Sequence, residues 1–141
     1  MADQDRKTLV LEVCALDRAP SRLDVIEVTV PGVMGIFIVL PGHAPLLSIL
    51  DIGPLTAVLP DGGKASFALH GGFAQVLDDR VLILSKTFEG ETEIDAERAE
   101  RALRRAEQRL KTPIESIDVA RAEVALKRAL TRLHVAGRDQ A

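Results

Sequence analysis

A chain of 141 residues, 47% of them apolar, has room for one ordinary domain or a small domain with an appendage, and its composition is not that of a low-complexity disordered segment. With no Trp, no Tyr and four Phe (Phe37, Phe67, Phe73 and Phe88), the core has to be filled by branched aliphatics and Ala. A formal net charge of −3 argues against nucleic acid as a partner, because that binding needs a basic footprint to displace counterions.

The first segment, MADQDRK, is polar and carries acids, unlike a secretory leader. No apolar run in the sequence approaches the roughly 20 residues that span a bilayer, so membrane association is expected to come through a partner. Leu9 to Ala15 is apolar except for Glu12 and reads as a strand. It contains the single Cys14, which has no internal partner and reads as a small core filler in a reducing compartment.

Ile26, Val28 and Val30 then alternate with Glu27 and Thr29, the period-2 pattern of a half-buried strand. Apolar runs follow at Ile36–Leu40, Leu46–Leu50, Leu55–Leu59, Ser66–Leu69, Phe73–Leu77 and Val81–Leu84. Turn residues separate them: Pro31-Gly32, Pro41-Gly42, Gly53-Pro54, Pro60-Asp61-Gly62-Gly63, Gly71-Gly72 and Asp78-Asp79. Such short, closely spaced runs predict an antiparallel β-sandwich or barrel of about 8–10 strands over residues 1–90.

Composition changes near residue 90. Nine of the ten glycines and six of the seven prolines precede Glu91, and Ala, Arg and Glu dominate after it. Residues 91–141 are predicted to form an antiparallel two-helix hairpin. The first helix, Ile94–Leu110, repeats Ala99, Ala102, Leu103, Ala106 and Leu110 at helical spacing. Glu97–Arg101, Glu100–Arg104 and Glu107–Lys111 are i,i+4 pairs in the favourable order. Thr112-Pro113-Ile114-Glu115 has the form of a capping box opening a second helix that runs to Val135 and stops at Gly137. Its apolar stripe is Val119, Ala122, Leu126, Leu130 and Leu133, with Ala129 alongside. Few large side chains face the hairpin seam, so its own stability is expected to be marginal.

Catalytic signatures are missing. No phosphate-cradling Gly-x-x-x-x-Gly-Lys-Ser/Thr loop and no Gly-x-Ser-x-Gly elbow occurs. His43, His70 and His134 lack metal-ligand spacing, and His43, between Pro41-Gly42 and Pro45, reads as a turn residue. The chain is not read as an enzyme, and no cofactor is required. Arg98, Arg101, Arg105 and Arg109 follow one side of the first helix, and Arg121, Arg128 and Arg132 one side of the second. They form either a solvated charged face or a convergent anion site.

Val30-Pro31-Gly32, Gly35, Val39 to Leu47, Gly53, Gly71-Gly72-Phe73 and Ile94 to Ala99 occur in an order that resembles the epsilon-subunit family of F-type ATP synthases along nearly the whole chain. The resemblance implies a β-sandwich and a two-helix C-terminal domain. It also implies a non-catalytic rotor subunit that couples ion flow through the membrane ring to ATP synthesis. Its partners would be the gamma subunit, the c-subunit ring and, through the hairpin, the alpha/beta catalytic ring. It would lie peripherally on the cytoplasmic face of a bacterial plasma membrane.

The implied docking residues are Gly35, Ile36, Pro41 and His43. Family members commonly carry an acidic residue and a second Gly where this chain has Ile36 and Ile38, which implies an apolar contact there. Ile94-Asp95-x-x-Arg98-Ala99 is similar to the signature of epsilon subunits that bind ATP without hydrolysing it. The site so implied comprises Glu89, Ile94, Asp95, Arg98, Ala99, Arg105, Arg128 and Arg132, with ATP as a regulatory ligand and the hairpin as a movable brake on hydrolysis. Asp95 reads equally well as a plain N-cap. Two other classes stand behind this one, a free-standing adaptor and a small metal-dependent sandwich enzyme.

Overall fold

The computed structural model describes residues 7–112 and 116–138. Its strands are β1 (Leu9–Ala15), β2 (Arg18–Val25), β3 (Glu27–Gly32), β4 (Gly35–Val39), β5 (Leu46–Val58), β6 (Lys64–Leu77), β7 (Arg80–Ser85) and β8 (Phe88–Gly90). A 3-10 turn at Glu91–Glu93 leads into α1 (Ala96–Lys111) and α2 (Ser116–Val135). The strands form one hydrogen-bonded ladder in the order β2-β1-β7-β6-β5-β3-β4, with β8 paired to β6 off that path.

Pairing is antiparallel throughout except between β1 and β7, which run parallel. This corrects the wholly antiparallel expectation. The long connection between β1 and β7 leaves their relative direction open, whereas a hairpin fixes it.

The ladder becomes a sandwich because its two longest strands exchange faces midway. In the first part of β6, Phe67 and Leu69 point into the core; after the Gly71-Gly72 pair, Ala74 and Val76 do. Their positions have changed from odd to even, so the strand has turned over. β5 does the same between Leu50 and Leu55. The register between the two strands stays continuous, from Leu46↔Val76 to Val58↔Lys64. Both strands therefore bend together from one layer into the other, the corner that closes a sandwich.

Gly71 and Gly72 have φ of +84° and +135°, conformations that favour glycine. The Gly53-Pro54 and Gly71-Gly72 turns expected from sequence are thus bends within β5 and β6, and four predicted runs merge into two strands. One aliphatic core fills the space between the layers. It includes Leu9, Leu11, Val13, Val28, Val30, Val39, Leu55 and Ile83, all fully buried. Phe67 and Phe88 meet edge to face within it, with centroids 6.0 Å apart.

Two strands were not anticipated. β2 is polar and contains Pro20, but it lies on the sheet edge, where proline and outward charges are tolerated. β8 has three residues, too few for a period.

In the hairpin, Ala99, Leu103, Ala129 and Leu133 form the closed seam. Asp95 caps α1: its Oδ1 accepts from the Arg98 amide at 3.1 Å. α2 stops as predicted at Gly137 (φ +74°), with Arg138 N–H donating to Leu133 C=O and Gly137 N–H to His134 C=O. Leu130, expected on the seam, is instead 48% exposed. Of the three expected i,i+4 pairs, only Glu100–Arg104 approaches among the described residues, at 4.0 Å. The capping box falls partly on residues 113–115, outside the described residues. Thr112 ends α1 and turns its hydroxyl back to the Gln108 carbonyl. α2 packs over β5 and β6.

Candidate functional site

Outward positions of the β1-β7-β6-β5 layer line up across strands. Cys14 stands beside Leu84, Leu84 beside Phe73, and Phe73 beside Ile49. Leu84, Phe73 and Ile49 are 49%, 53% and 61% exposed. Cys14 is half-buried, and burial, then the neighbouring Glu12 carboxylate, push its thiol pKa up, so the thiol stays neutral in this apolar row. The next row is mixed: Glu12, Leu82, Gln75 and Leu47. Val33, whose amide donates to Ile49 C=O, brings the β3–β4 turn and exposed Met34 to one end of the row. A contiguous exposed apolar row on a sheet is unusual and marks a contact surface. The same alternation that fills the core leaves this row outside, and α2, which packs over β5 and β6, leaves Ile49, Phe73 and Leu84 exposed.

The four residues implied for docking fall in two places. Gly35 and Ile36 open β4 beside Met34, with Gly35 at φ +134° and Ile36 and Ile38 exposed. Pro41 and His43 follow the end of β4. The His43 amide donates to Leu40 C=O, and its ring Nδ1 lies against Ala44 C=O. Gly42 N–H donates to Asp79 Oδ1 at 2.7 Å, tying this turn to the β6–β7 turn. Among the described residues no group of three His, Cys, Asp or Glu is placed to hold a metal.

A polar cluster joins sandwich and hairpin. Beyond the core face of β6, Ala68 and His70 point outward yet are buried, and Glu89 pairs with Ala68 across the β6–β8 ladder. One carboxylate oxygen, Glu89 Oε1, receives Arg132 Nε from α2 at 2.7 Å and stands 3.1 Å from His70 Nε2. His70 Nδ1 is buried without a partner among the described residues. Burial first, and then the Arg132 and Arg128 charges, hold the His70 pKa below the ordinary histidine value against the opposing pull of Glu89. A second ion pair, Lys127 Nζ to Asp51 Oδ2 at 3.2 Å, ties α2 to β5.

The chain leading to α1 is fastened separately. Arg18 grips Glu93 with both terminal nitrogens at 2.6 and 2.8 Å, donates to Phe88 C=O, and lies 4.1 Å over the Phe88 ring. The Arg18 hydrogen bond, more than its charge, holds Glu93 below the usual carboxylate range.

Between this segment and the hairpin is a cavity of about 490 Å³ lined by Thr87, Glu89, Glu93, Asp95, Arg98, Ala99, Ala102, Arg105 and Arg132. Of the residues implied for a nucleotide, six line it: Glu89, Asp95, Arg98, Ala99, Arg105 and Arg132. Ile94 and Arg128 do not. Ile94 is half-buried just before the α1 N-cap, and Arg128 lies one turn before Arg132, where its charge acts on His70. The three carboxylates on the wall are engaged, by Arg132, Arg18 and the α1 N-terminus respectively. Arg98 and Arg105, two turns apart on one side of α1, make no ion pair among the described residues. Sequence reading missed Thr87, Glu93, Ala102 and the buried His70.

Residues 8–91 match the family model described as the ATP synthase delta/epsilon chain β-sandwich domain, and residues 92–137 that of its long α-helix domain. The chain is 45% identical over 106 residues to the ATP synthase epsilon chain of Solibacter usitatus, covering 75% of this chain and 78% of that one. It is 46% identical over 132 residues to that of Pelotomaculum thermopropionicum, covering 94% and 98%. Among solved structures, it superimposes with a TM-score of 0.78 on a chain of the Euglena gracilis mitochondrial ATP synthase, solved as OSCP/F1/c-ring. That match has 27% identity and covers 92% of this chain and 81% of that one. A chain from the Tetrahymena thermophila mitochondrial ATP synthase central stalk and c-ring shares the fold, with a TM-score of 0.62 at 13% identity over 93% and 98% of the two chains.

Proposed function

This chain belongs to the ATP synthase delta/epsilon chain family and is a stalk subunit, not a catalytic one; from that premise we propose that its sandwich couples the ring of c subunits to the gamma subunit during ion-driven rotation. The observation that carries this is the exposed row Ile49–Phe73–Leu84, which needs an apolar partner and finds none among the described residues. Gamma is assigned to that row, with the Glu12, Gln75 and Arg80 side chains as a polar rim. The apolar surface of the β3–β4 turn and β4, Met34, Ile36 and Ile38, is assigned to the c-ring loops. No helix among the described residues is long and apolar enough to cross a membrane. In this reading the chain lies peripherally against the ring, on the cytoplasmic face of a bacterial plasma membrane.

Phe73→Glu tests the assignment. In a pull-down from detergent-solubilised membranes, the unmodified chain brings down gamma and c subunits and the variant loses both. Retention of gamma by the variant would defeat it.

A second reading concerns the hairpin. Arg98 and Arg105, which line the cavity and make no ion pair among the described residues, suit a polyphosphate, with Arg132 on its other wall. We assign ATP to this cavity as a regulatory ligand. Bound across α1 and the segment before it, ATP favours the docked hairpin over an extended one that meets the alpha/beta ring and opposes hydrolysis. Only differential affinity for the two states can do this. Calorimetric titration should show binding by the isolated chain and at least about tenfold weaker binding by Arg98→Ala, the size of one lost charge-assisted contact. No heat at millimolar ATP would remove the nucleotide.

A further inference from the structure

We propose that the His70–Glu89–Arg132 cluster makes docking of the hairpin sensitive to pH, with protonation of His70 favouring release of α2 from the sandwich. This rests on the reading that the hairpin can leave the sandwich, and it adds what would release it. The stalk function does not otherwise use His70, a buried titratable group at the junction of the two parts.

The geometry sets which state takes up the proton. In the docked state Glu89 Oε1 already accepts from Arg132, and His70 Nε2 reaches the same oxygen. A neutral ring with its proton on Nε2 satisfies this arrangement. A second proton would go to Nδ1, which is buried and faces no acceptor among the described residues. It would also place a cation beside Arg132 and Arg128 of α2. The other packed elements do not offset this. β5 sets the uncharged Ile52 opposite His70, and its one ionisable residue, Asp51, is engaged by Lys127. The acids of the 3-10 turn are Glu91 and Glu93, of which Glu93 is held by Arg18. Glu89 alone favours the imidazolium, and it is shared.

Lifting α2 reverses each of these effects. Water reaches Nδ1, both arginines leave, and Glu89 stays on β8 beside β6 to pair with the charged ring. The released state binds the proton more tightly, so acidification shifts the balance towards it. The sign follows from a histidine whose docked-state pKa is depressed. Its contribution to docking is complete above about pH 6.5, the ordinary histidine value, and is lost as pH falls through the docked-state value. One proton allows the released-to-docked ratio to rise by at most about tenfold per pH unit.

The test uses the full chain with Cys14→Ser and fluorophores on cysteines placed at Asp61, in the β5–β6 turn, and Glu123, on α2. The distance between them is followed from about pH 7.5 to 5, across the histidine range and above the ordinary carboxylate one. The expected result is a separation that grows on acidification and is flat with pH in His70→Gln, whose amide still donates to Glu89 but cannot titrate. A parallel NMR titration of the His70 ring, assigned by its absence from His70→Gln, keeps the proposal testable should that variant fold poorly. The ring should titrate below the ordinary histidine range, and in step with the separation.

Equal pH dependence in His70→Gln, or a His70 ring that titrates with no change in separation, overturns the proposal and leaves a mobile hairpin standing. If the probes never separate, even in Glu89→Ala where the Arg132 anchor is gone, the hairpin does not leave the sandwich and the reading beneath fails too.

Discussion

At Gly72 a single hydrogen atom decides whether the sandwich can close. A Cβ built there would lie 1.9 Å from the Leu84 carbonyl oxygen, and φ is +135°. The obstructing atom is backbone in β7, so no rotamer change relieves the clash. Gly72→Ala should cost about 3 kcal/mol or more, at the upper end of overpacking penalties, measured as a fall in the urea midpoint with the slope unchanged. Gly71, with φ +84° and only a distant neighbour, pays mainly conformational strain and should lose less. Sequence reading recognised this pair as turn residues. That they bend one continuous strand depends on β5 pairing on both sides of them.

Among the elements, the hairpin and the sandwich hold together by different means. The sandwich core is a large set of fully buried aliphatics, whereas the described hairpin seam buries two full-sized side chains, Leu103 and Leu133, among alanines, with Leu126 partly buried beside them. Alanine lets the helices approach but contributes little apolar area. Leu103→Ala should cost about 2–5 kcal/mol, comparable to all the stability such a hairpin has. The expected outcome is loss of helical circular dichroism while the dispersed amide NMR signals of the β-strands persist. Simultaneous loss of both would mean that the two parts fold as one unit. Arg18 fixes where the hairpin begins, because its grip on Glu93 and on the Phe88 carbonyl ties the segment before α1 to β2 and β8. No sequence pattern announces this contact between residues 75 apart.

For the molecule as a whole, the apolar row and the polar cluster lie on different layers, so subunit docking and hairpin docking can be altered separately. Phe73 points away from the core and is 53% exposed. Phe73→Glu should therefore change the stability of the isolated chain by less than about 0.5 kcal/mol, as for an ordinary surface substitution, while abolishing recovery of gamma and c subunits. A large stability loss would instead place Phe73 among the core residues. The ion pairs across the hairpin interface, Lys127–Asp51 and Arg132–Glu89, are partly exposed. Each contributes modestly, about 0–1 kcal/mol, so neither by itself pins the hairpin to the sandwich.

The sequence alone determined what depends on local chemistry. Alternating Val28 and Val30 set a strand face, Asp95 and Gly137 set helix ends, and the loss of Gly and Pro after residue 90 marks the change from strand to helix. Of Ile94-Asp95-x-x-Arg98-Ala99, singled out by resemblance, Asp95, Arg98 and Ala99 line a cavity and Ile94 lies outside it. Tertiary structure decided what depends on residues distant in the chain. β2 and β8 exist because neighbouring strands offer unpaired hydrogen bonds, although their own residues show no period. Phe73 is exposed while Phe67 is buried because β6 turns over between them. His70 is buried because α2 crosses β6 and brings Arg132 to Glu89. Periodicity records how a residue sits on its own strand or helix; which face is covered, and by what, is fixed only when non-local elements pack.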